Sequence, residues 1–470
     1  MSQKNETTIL ALALLLTVGI IGGGFWWFTN NSGFKFGNTP NQETDSNLSL
    51  QDRISFGEKS LTPGEISPVK KAGVQAIAAK SYDQAIANFT AALELNRNDP
   101  EALIFLNNAR IKSSKSYTIV ASVPIGTDPN TSLEVLRGIA QAQNEINTSG
   151  GIKGVPLRVG IANDNDKPEI AKQIASSLIS NSEVLGVVGP ITSDSTLAAG
   201  TIYNYGKLVA ISPTSTSVKI SNFSRYVFRT VPSDFIAARS LANYMVKTLQ
   251  KKNAAVFFNS QSNYSQSLKS EFVSSVLLEG GQVSSEFDLS NADFSAAKSV
   301  EQATKQGAEV LMLAANTETL DKALQVLQIN QKRLILLSGD DVYTTKTLEI
   351  GRQQAVGMIV AVPWHIDGDR KSDFPQKSRQ LWGADVSWRS ALSDDATVAL
   401  IAALERNPTR SGVQEALTSS DFSATGASGT IRFLASGDRN APVQLVKIVP
   451  GSRAGTDYDF EPVRSSAIKN

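Results

Sequence analysis

From Tyr117 onward the sequence alternates between short apolar runs and longer amphipathic runs, and no other feature constrains the fold as strongly. The apolar runs are almost continuous in Val, Ile and Leu, which predicts parallel strands buried on both faces. The intervening runs repeat with a period near 3.6, which predicts helices that cover the sheets. Nine strands are predicted in this way, at residues 117–125, 156–163, 184–189, 208–212, 254–259, 282–289, 309–315, 333–338 and 356–362.

Nine strands and a further C-terminal pair exceed one ordinary sheet. The economical solution is an α/β fold with two doubly wound parallel-sheet lobes. In open α/β sheets, ligands bind in the crevice beyond the carboxyl ends of the strands. Polar residues that directly follow predicted strands are therefore the first candidates for a binding site.

Residues 9–28 form a run of twenty uncharged, mostly apolar residues, which matches the thickness of a membrane's hydrocarbon core. Three aromatic residues, Trp26 to Phe28, lie at its outer end, where such rings favour the interface. No Ala-x-Ala-like cleavage site follows the run, so we predict an uncleaved single-span anchor, with a cleaved signal peptide as the alternative. The anchor would leave residues 1–8 in the cytoplasm. It would attach the chain to the inner (plasma) membrane with its folded part in the periplasm.

Two segments separate the anchor from the alternating region. Residues 29–68 are rich in Asn, Ser, Thr and Gly, which predicts a flexible linker. Residues 69–115 are Ala-rich with helical periodicity, and AKSYDQAIANFTAALELNRNDPEAL resembles one tetratricopeptide repeat followed by the first helix of a second. A lone repeat must dock on the next domain, on another copy or on a partner. A three-helix spacer and a groove that binds a protein partner are therefore both open.

Several classes of function are excluded by composition. The chain has no cysteine and a single histidine, His365, so disulfides, a cysteine nucleophile, a lipidated cysteine and a multi-histidine zinc site are excluded. A net charge of +1 gives no electrostatic reason to expect nucleic acid as a partner. We expect no catalytic residues, cofactor or metal site. His365 is interpreted as structural, and Asp164 and Asp166 as caps of the helix at 167–180 rather than half a calcium loop.

A family resemblance is carried by residues 140–159, AQAQNEINTSGGIKGVPLRV, and continues through VVGPITSDST, ISPTST and VFRT. These motifs resemble periplasmic binding proteins of the leucine/isoleucine/valine type, and the resemblance covers residues 117–450. It implies two lobes that close on a ligand and are joined by three crossings, near 231–235, 362–366 and 445–450. Residues 451–470 would then form a C-terminal tail.

Hydroxyl-bearing residues follow two neighbouring strands of the first predicted lobe. Residues 193–196 open a predicted helix, so their hydroxyl and free N–H groups lie at a positive helix end that attracts anions. A plain helix cap is the alternative. Residues 214–216 follow the next strand and would face the same crevice. The resemblance implies that Ser193 and Thr216 hold a ligand carboxylate and that the Thr214 carbonyl accepts from its ammonium group.

The second lobe contributes candidates after two of its strands. The resemblance implies that Tyr264 packs over the ligand, although an ordinary aromatic residue at a helix start is the alternative. Asp340 and Asp341 follow strand 333–338, where the family keeps an acidic residue that pairs with the ammonium group, and Asp340 aligns better. Asn316 stands where the family often has tyrosine.

The function implied by the resemblance is capture of a small polar ligand, an amino acid or an amide, for the permease of an ABC importer. The alternative is a receptor domain that senses the ligand and signals through a partner protein. A further protein partner at the helical repeat is open.

Overall fold

The computed structural model of the protein describes residues 49–368 and 372–463. The predicted anchor at residues 9–28 and the first half of the predicted linker, residues 29–48, lie outside the described residues. Within the described ranges, no helix combines the length and the apolar character needed to cross a membrane.

Fifteen strands are present in the described part of the chain. They are β1 (Ile54–Ser55), β2 (Tyr117–Val123), β3 (Leu157–Asn163), β4 (Val184–Val188), β5 (Ala210–Ser212), β6 (Val227–Arg229), β7 (Asn253–Phe258), β8 (Gln282–Asp288), β9 (Val310–Ala314), β10 (Ile335–Ser338), β11 (Ile359–Val362), β12 (Ala424–Gly426), β13 (Gly429–Ile431), β14 (Gln444–Pro450) and β15 (Tyr458–Pro462).

Fourteen α-helices accompany the strands within the same ranges. They are α1 (Pro68–Ala78), α2 (Tyr82–Leu95), α3 (Pro100–Ile111), α4 (Pro129–Thr148), α5 (Pro168–Ser180), α6 (Ser193–Gly206), α7 (Asp234–Asn243), α8 (Asn263–Leu278), α9 (Ala296–Lys305), α10 (Leu320–Asn330), α11 (Thr345–Ala355), α12 (Phe374–Trp382), α13 (Trp388–Arg406) and α14 (Arg410–Thr418).

The first sheet has six strands in the order β1-β3-β2-β4-β5-β6, and all neighbours are parallel except β1, which is antiparallel to β3. Its strands alternate between two cores, as Ile119 and Val120 of β2 illustrate. Ile119 packs with residues of α4 and α13, and Val120 with residues of α5 and α6. The sheet with these covering helices is lobe one.

The second sheet has seven strands in the order β15-β14-β11-β10-β9-β7-β8. The five strands from β11 to β8 are parallel, whereas β14 and β15 are antiparallel to their neighbours. Helices α7 and α8 cover one face, and α9 and α10 cover the other. This sheet with its helices is lobe two. The predicted α/β fold with two lobes, its nine strands and the C-terminal strand pair are confirmed.

Four short strands, β1, β6, β12 and β13, were not predicted, and β1 changes a predicted boundary. Ile54 of β1 pairs with Ala162 of β3, so the last part of the segment at 29–68 belongs to lobe one, and the linker prediction is wrong there. The three residues of β6 are too few to show a periodicity. At the other end, β15 pairs with β14, so residues 458–462 belong to lobe two rather than to a tail.

Three crossings join the lobes, and two lie where they were predicted. The first connects β6 to α7 and the second follows β11. The third was predicted at 445–450, but those residues are inside β14. The chain stays with lobe one as far as Arg439, which forms an ion pair with Asp395 of α13, and it crosses before Gln444.

The predicted helical segment forms α1, α2 and α3, and α3 docks on lobe one. Every residue of α3 except Arg110 is buried. The Asn108 side chain donates to the carbonyls of Phe56 and Val159 at 2.9 and 2.7 Å. Docking on the next domain is thus the arrangement adopted by α3, and the likeness to a tetratricopeptide repeat stays a prediction.

Candidate functional site

A cavity of about 370 Å³ lies between the lobes, at the carboxyl ends of strands from both sheets. Lobe one contributes the loops after β2, β3, β4 and β5 together with the start of α13, and lobe two the loops after β7, β9 and β10. The lining residues are Pro124, Thr127, Asp128, Thr131, Asn165, Asp166, Lys167, Ile191, Thr192, Ser193, Asp194, Thr214, Ser262, Tyr264, Asn316, Thr317, Glu318, Asp340, Asp341, Trp388 and Arg389.

Five of the six residues singled out from the sequence line this one cavity. On the side of lobe one, Ser193 is the first residue of α6 and its hydroxyl accepts a hydrogen bond from the Ser217 amide at 3.2 Å. Thr192 caps the helix, since its hydroxyl accepts from the Ser195 amide at 3.3 Å. Thr214 donates to the Ile191 carbonyl. The strand ends thus place the hydroxyl groups of Thr192, Ser193 and Thr214 near the start of α6, which is the positive end of the helix.

Thr216 is not brought to the cavity wall. It is buried behind the lining residues, and its carbonyl accepts from the Asp234 amide at 2.9 Å, at the start of α7. The position therefore ties the β5 loop to the first crossing.

In lobe two, Tyr264 and Asp340 form a hydrogen-bonded pair. The Tyr264 hydroxyl donates to Asp340 Oδ1 at 2.9 Å, and only 8% of Asp340 is exposed. Burial raises the pKa of Asp340 to about 6, and the nearby Asp234 carboxylate adds to the increase. The carboxylate consequently lacks a full counter-charge and would be stabilised by a cation inside the cavity.

Asp341 has a different set of partners from its neighbour. Arg389 Nη2 lies 3.5 Å from Asp341 Oδ1, and the Thr317 amide donates to Asp341 Oδ2 at 3.1 Å. Burial raises the pKa of Asp341 to about 7, although the Arg389 guanidinium opposes the shift. Arg389 also donates to the Tyr343 carbonyl at 3.0 Å, so it links α13 of lobe one to lobe two.

Trp388 and Arg389 were not predicted as site residues, and no local signal could have found them. They follow no strand but begin α13, which reaches the cavity because it packs against α4. The Arg389 guanidinium lies 4.5 Å from the centre of the Trp388 ring.

The loop after β3 also reaches the cavity, which corrects one prediction. The N-cap of α5 is Lys167, without a side-chain hydrogen bond, so Asp164 and Asp166 do not cap this helix. Instead, Asp164 Oδ1 accepts from the Asp166 amide at 3.0 Å, which shapes the loop. Asp166 then faces α6, where the Thr192 and Ser195 hydroxyls donate to its Oδ1. Burial raises the pKa of Asp166 to about 7, and the charges of Asp164 and Asp194 contribute.

His365 lies at the second crossing and outside the lining of the cavity. Its side chain is buried, its Nδ1 accepts from the Asp367 amide at 3.2 Å, and burial lowers its pKa. This is the hydrogen-bonded, structural histidine that the sequence indicated. Among the described residues, no group of three or more His, Cys, Asp or Glu side chains is arranged to hold a metal ion.

Two α/β lobes that enclose a polar cavity at their strand ends define a ligand-binding protein of the hinged, two-lobed class. Residues 125–455 match the family model described as periplasmic binding protein, and the chain belongs to that family. The family consists of solute-binding proteins rather than enzymes.

Relatives with related functions resemble parts of the chain. An amino acid binding protein of Pseudomonas aeruginosa is 29% identical over 150 residues, which are 32% of this chain and 40% of the relative. A leucine-specific-binding protein of Salmonella typhimurium is 27% identical over 237 residues, 49% of this chain and 63% of the relative. The chain thus spans less than two thirds of the length of either protein.

Solved structures share the two-lobed fold. An ABC transporter substrate-binding protein of Desulfitobacterium hafniense, solved with leucine, has a TM-score of 0.64 and 22% identity. The match covers 74% of this chain and all of that one. A leucine-binding protein of Thermotoga maritima has a TM-score of 0.65 and 22% identity, over 73% of this chain and 97% of that one. These likenesses concern the fold.

Proposed function

We propose that the protein captures an amino acid or a related small polar compound and delivers it to the permease of an ABC-type importer. One observation carries this proposal. Ser193 at the start of α6 and Thr214 in the loop after β5, both of lobe one, share a cavity with the Tyr264–Asp340 pair of lobe two. An α-amino acid has a carboxylate and an ammonium group, and these two lobes offer complementary surroundings for each.

The two charges of such a ligand would bridge the lobes. Hydroxyl groups and free amides at the positive end of α6 suit the carboxylate. The buried Asp340 carboxylate suits the ammonium group, because each would lack a counter-charge without the other. Thr216 would support the cradle from behind by holding the β5 loop. The names of the relatives, which include amino acid and leucine binding, agree with this ligand class.

The location that we propose is extracytoplasmic, with the chain tethered to the inner membrane by residues 9–28. The length and apolar character of this run support the tether. Membership of a periplasmic family supports the placement of the two lobes on the outer side.

In this proposal the helical segment, α1 to α3, has a mainly structural function. Lys70 of α1 forms ion pairs with Asp99 and with the fully buried Glu101 of α3, at 2.7 and 2.8 Å. These pairs fasten α1 to the helix that docks on lobe one. A protein partner at the repeat would therefore have to use the outer surfaces of α1 and α2.

The test is a thermal-shift screen of the full chain, purified in detergent, against amino acids, amides, urea and short peptides. A ligand that binds the folded state raises the melting temperature with concentration. If no amino acid or amide produces a shift, the proposed ligand class is wrong. Binding is common to an importer component and a sensor, so uptake of the identified ligand by cells that lack the protein separates these two functions.

A further inference from the structure

We propose that the ligand carries a cationic side chain, and that Asp128, Asn165 and Asp166 of lobe one hold it. This inference rests on the proposed function, because it takes the α-amino and α-carboxylate groups of the ligand to be held as described above. It goes further by naming the class of amino acid.

The charges that line the cavity are strongly unequal. The lining includes six carboxylates, those of Asp128, Asp166, Asp194, Glu318, Asp340 and Asp341, against two cations, those of Lys167 and Arg389. Arg389 offsets the charge of Asp341, which lies 3.5 Å away. A zwitterion adds no net charge, so it would leave an excess of carboxylates enclosed with it. A ligand with one additional positive charge reduces this excess.

Large apolar side chains are a minority among the lining residues. Pro124, Ile191, Trp388 and the Tyr264 ring are the large apolar groups among the described lining residues. A branched aliphatic side chain would therefore contact carboxylates and amides that it cannot satisfy. Pockets for small ligands are usually lined mostly by apolar groups with a few polar ones. The many polar and charged side chains in this cavity indicate that the ligand carries polar groups beyond its α-amino and α-carboxylate groups.

The Asn165 side chain independently indicates that a hydrogen-bonding ligand binds at this part of the cavity. It lines the cavity and is only 2% exposed, yet neither its side-chain oxygen nor its nitrogen has a hydrogen-bond partner among the described residues. Unsatisfied buried polar groups are uncommon and cost roughly 1–3 kcal/mol each. A ligand that bears N–H groups would satisfy the Asn165 oxygen and remove part of this cost.

Asp166 lies next to Asn165 and has an oxygen available for the same ligand group. The hydrogen bonds from Thr192 and Ser195 both go to Oδ1, and Oδ2 accepts none within the described ranges. Asp128 follows β2, the strand next to β3, and its Oδ1 accepts from the Thr131 amide at 3.1 Å. An ammonium or guanidinium group placed beside Asp166 would meet its available oxygen and the side-chain oxygen of Asn165, and Asp128 lines the same cavity. The N–H groups of such a cation match these acceptors in number and sign.

Isothermal titration calorimetry of the full chain in detergent tests the inference with matched ligands. Arginine is compared with citrulline, which replaces the guanidinium by a neutral urea group of similar shape. Lysine is compared with norleucine, which lacks the terminal ammonium, and leucine is included. We expect the better cationic ligand to bind at least about tenfold more tightly than its neutral counterpart, because a buried charge pair is lost in the latter.

The variant Asp166→Asn tests whether Asp166 holds the cationic group of the ligand. Asparagine keeps an oxygen that can accept from Thr192 and Ser195, and it tolerates the positive φ of 52° at this position. We expect at least a tenfold loss for the cationic ligand and a smaller one for its neutral counterpart. Asp293→Asn, at an exposed loop of lobe two, is the matched control and should change neither affinity.

The outcomes separate the two proposals. If leucine, norleucine or citrulline binds as tightly as the cationic ligands, the inference is overturned and the amino-acid function stands. If no amino acid binds, the proposed function fails and the inference fails with it. If cationic ligands bind best but Asp166→Asn leaves their affinity unchanged, Asp166 does not hold the cation and the proposed location is wrong. The ligand comparison on the unmodified chain decides the charge preference even if the variant does not fold.

Discussion

Replacing Asp340 by asparagine should have opposite effects on ligand binding and on the stability of the ligand-free protein. The carboxylate is buried, and among the described residues its one side-chain hydrogen-bond partner is the Tyr264 hydroxyl at 2.9 Å. If it pairs with a ligand ammonium group, its removal leaves that charge enclosed without compensation. Breaking such a pair costs about 3–5 kcal/mol, or roughly two to four orders of magnitude in affinity.

The stability effect follows from the pKa of the same carboxyl group. Its pKa is about 6 in the folded protein and 3.8 for an unperturbed aspartate, so the folded state resists ionisation. Below the lower pKa the carboxyl group is protonated in both the folded and the unfolded state, so it does not change the free energy of unfolding. As the pH rises from the lower to the higher pKa, the unfolded state loses its proton first and folding becomes less favourable. At neutral pH the ionisation of Asp340 lowers the free energy of unfolding by about 3 kcal/mol at most, and Asp340→Asn should restore part of this stability.

The assays are calorimetric titration and thermal unfolding of Asp340→Asn, with Asp341→Asn as the comparison. We expect Asp340→Asn to bind an amino acid far more weakly while its ligand-free form melts at a higher temperature at neutral pH. An uncharged amide should lose much less affinity. If Asp340→Asn binds normally and Asp341→Asn loses affinity, Asp341 rather than Asp340 pairs with the ammonium group. Normal binding by both variants would contradict the amino-acid assignment, and a clearly less stable Asp340→Asn would refute the electrostatic argument.

Three further predictions follow from the site and the topology. Ser193→Ala removes a hydrogen bond to a charged group and should weaken binding about ten- to hundredfold by calorimetry, whereas Thr216→Ala, outside the lining, should change affinity little. Binding of a cationic ligand should weaken as the pH falls from about 8 to about 5, because Asp166 and Asp340, with pKa values raised to about 7 and 6, become protonated and lose the charge that attracts it. A pH series in one buffer system that shows tighter binding at the acidic end would contradict this sign. Protease added to spheroplasts should digest the two lobes, and without protease the lobes should stay with the membrane fraction until detergent is added. Protection from the protease would contradict the proposed orientation. Release from the membrane without detergent would exclude the anchor.

Much of the candidate site could be predicted from the sequence, because polar residues after apolar strands lie at one edge of a parallel sheet. That reasoning brought Ser193, Thr214, Tyr264, Asp340 and Asp341 to one cavity. Thr216, two residues beyond Thr214, is not among the lining residues, because the path of a loop after its strand is set by contacts with other elements. The carbonyl of Thr216 accepts a hydrogen bond from the Asp234 amide at the start of α7.

The sequence by itself determined the α/β class, the two lobes and most strand positions, since burial on both faces of a strand leaves a continuous apolar run. It could not determine which distant residues complete the cavity. Trp388 and Arg389 reach it only because α13 packs on α4, and Asn165 because the β3 loop bends toward α6. The tertiary structure also decided the electrostatics. Asp340 and Asp341 are adjacent residues of the same type, but only Asp341 lies within 3.5 Å of Arg389. The protonation of a carboxyl group depends on its neighbours in space, which the sequence does not show.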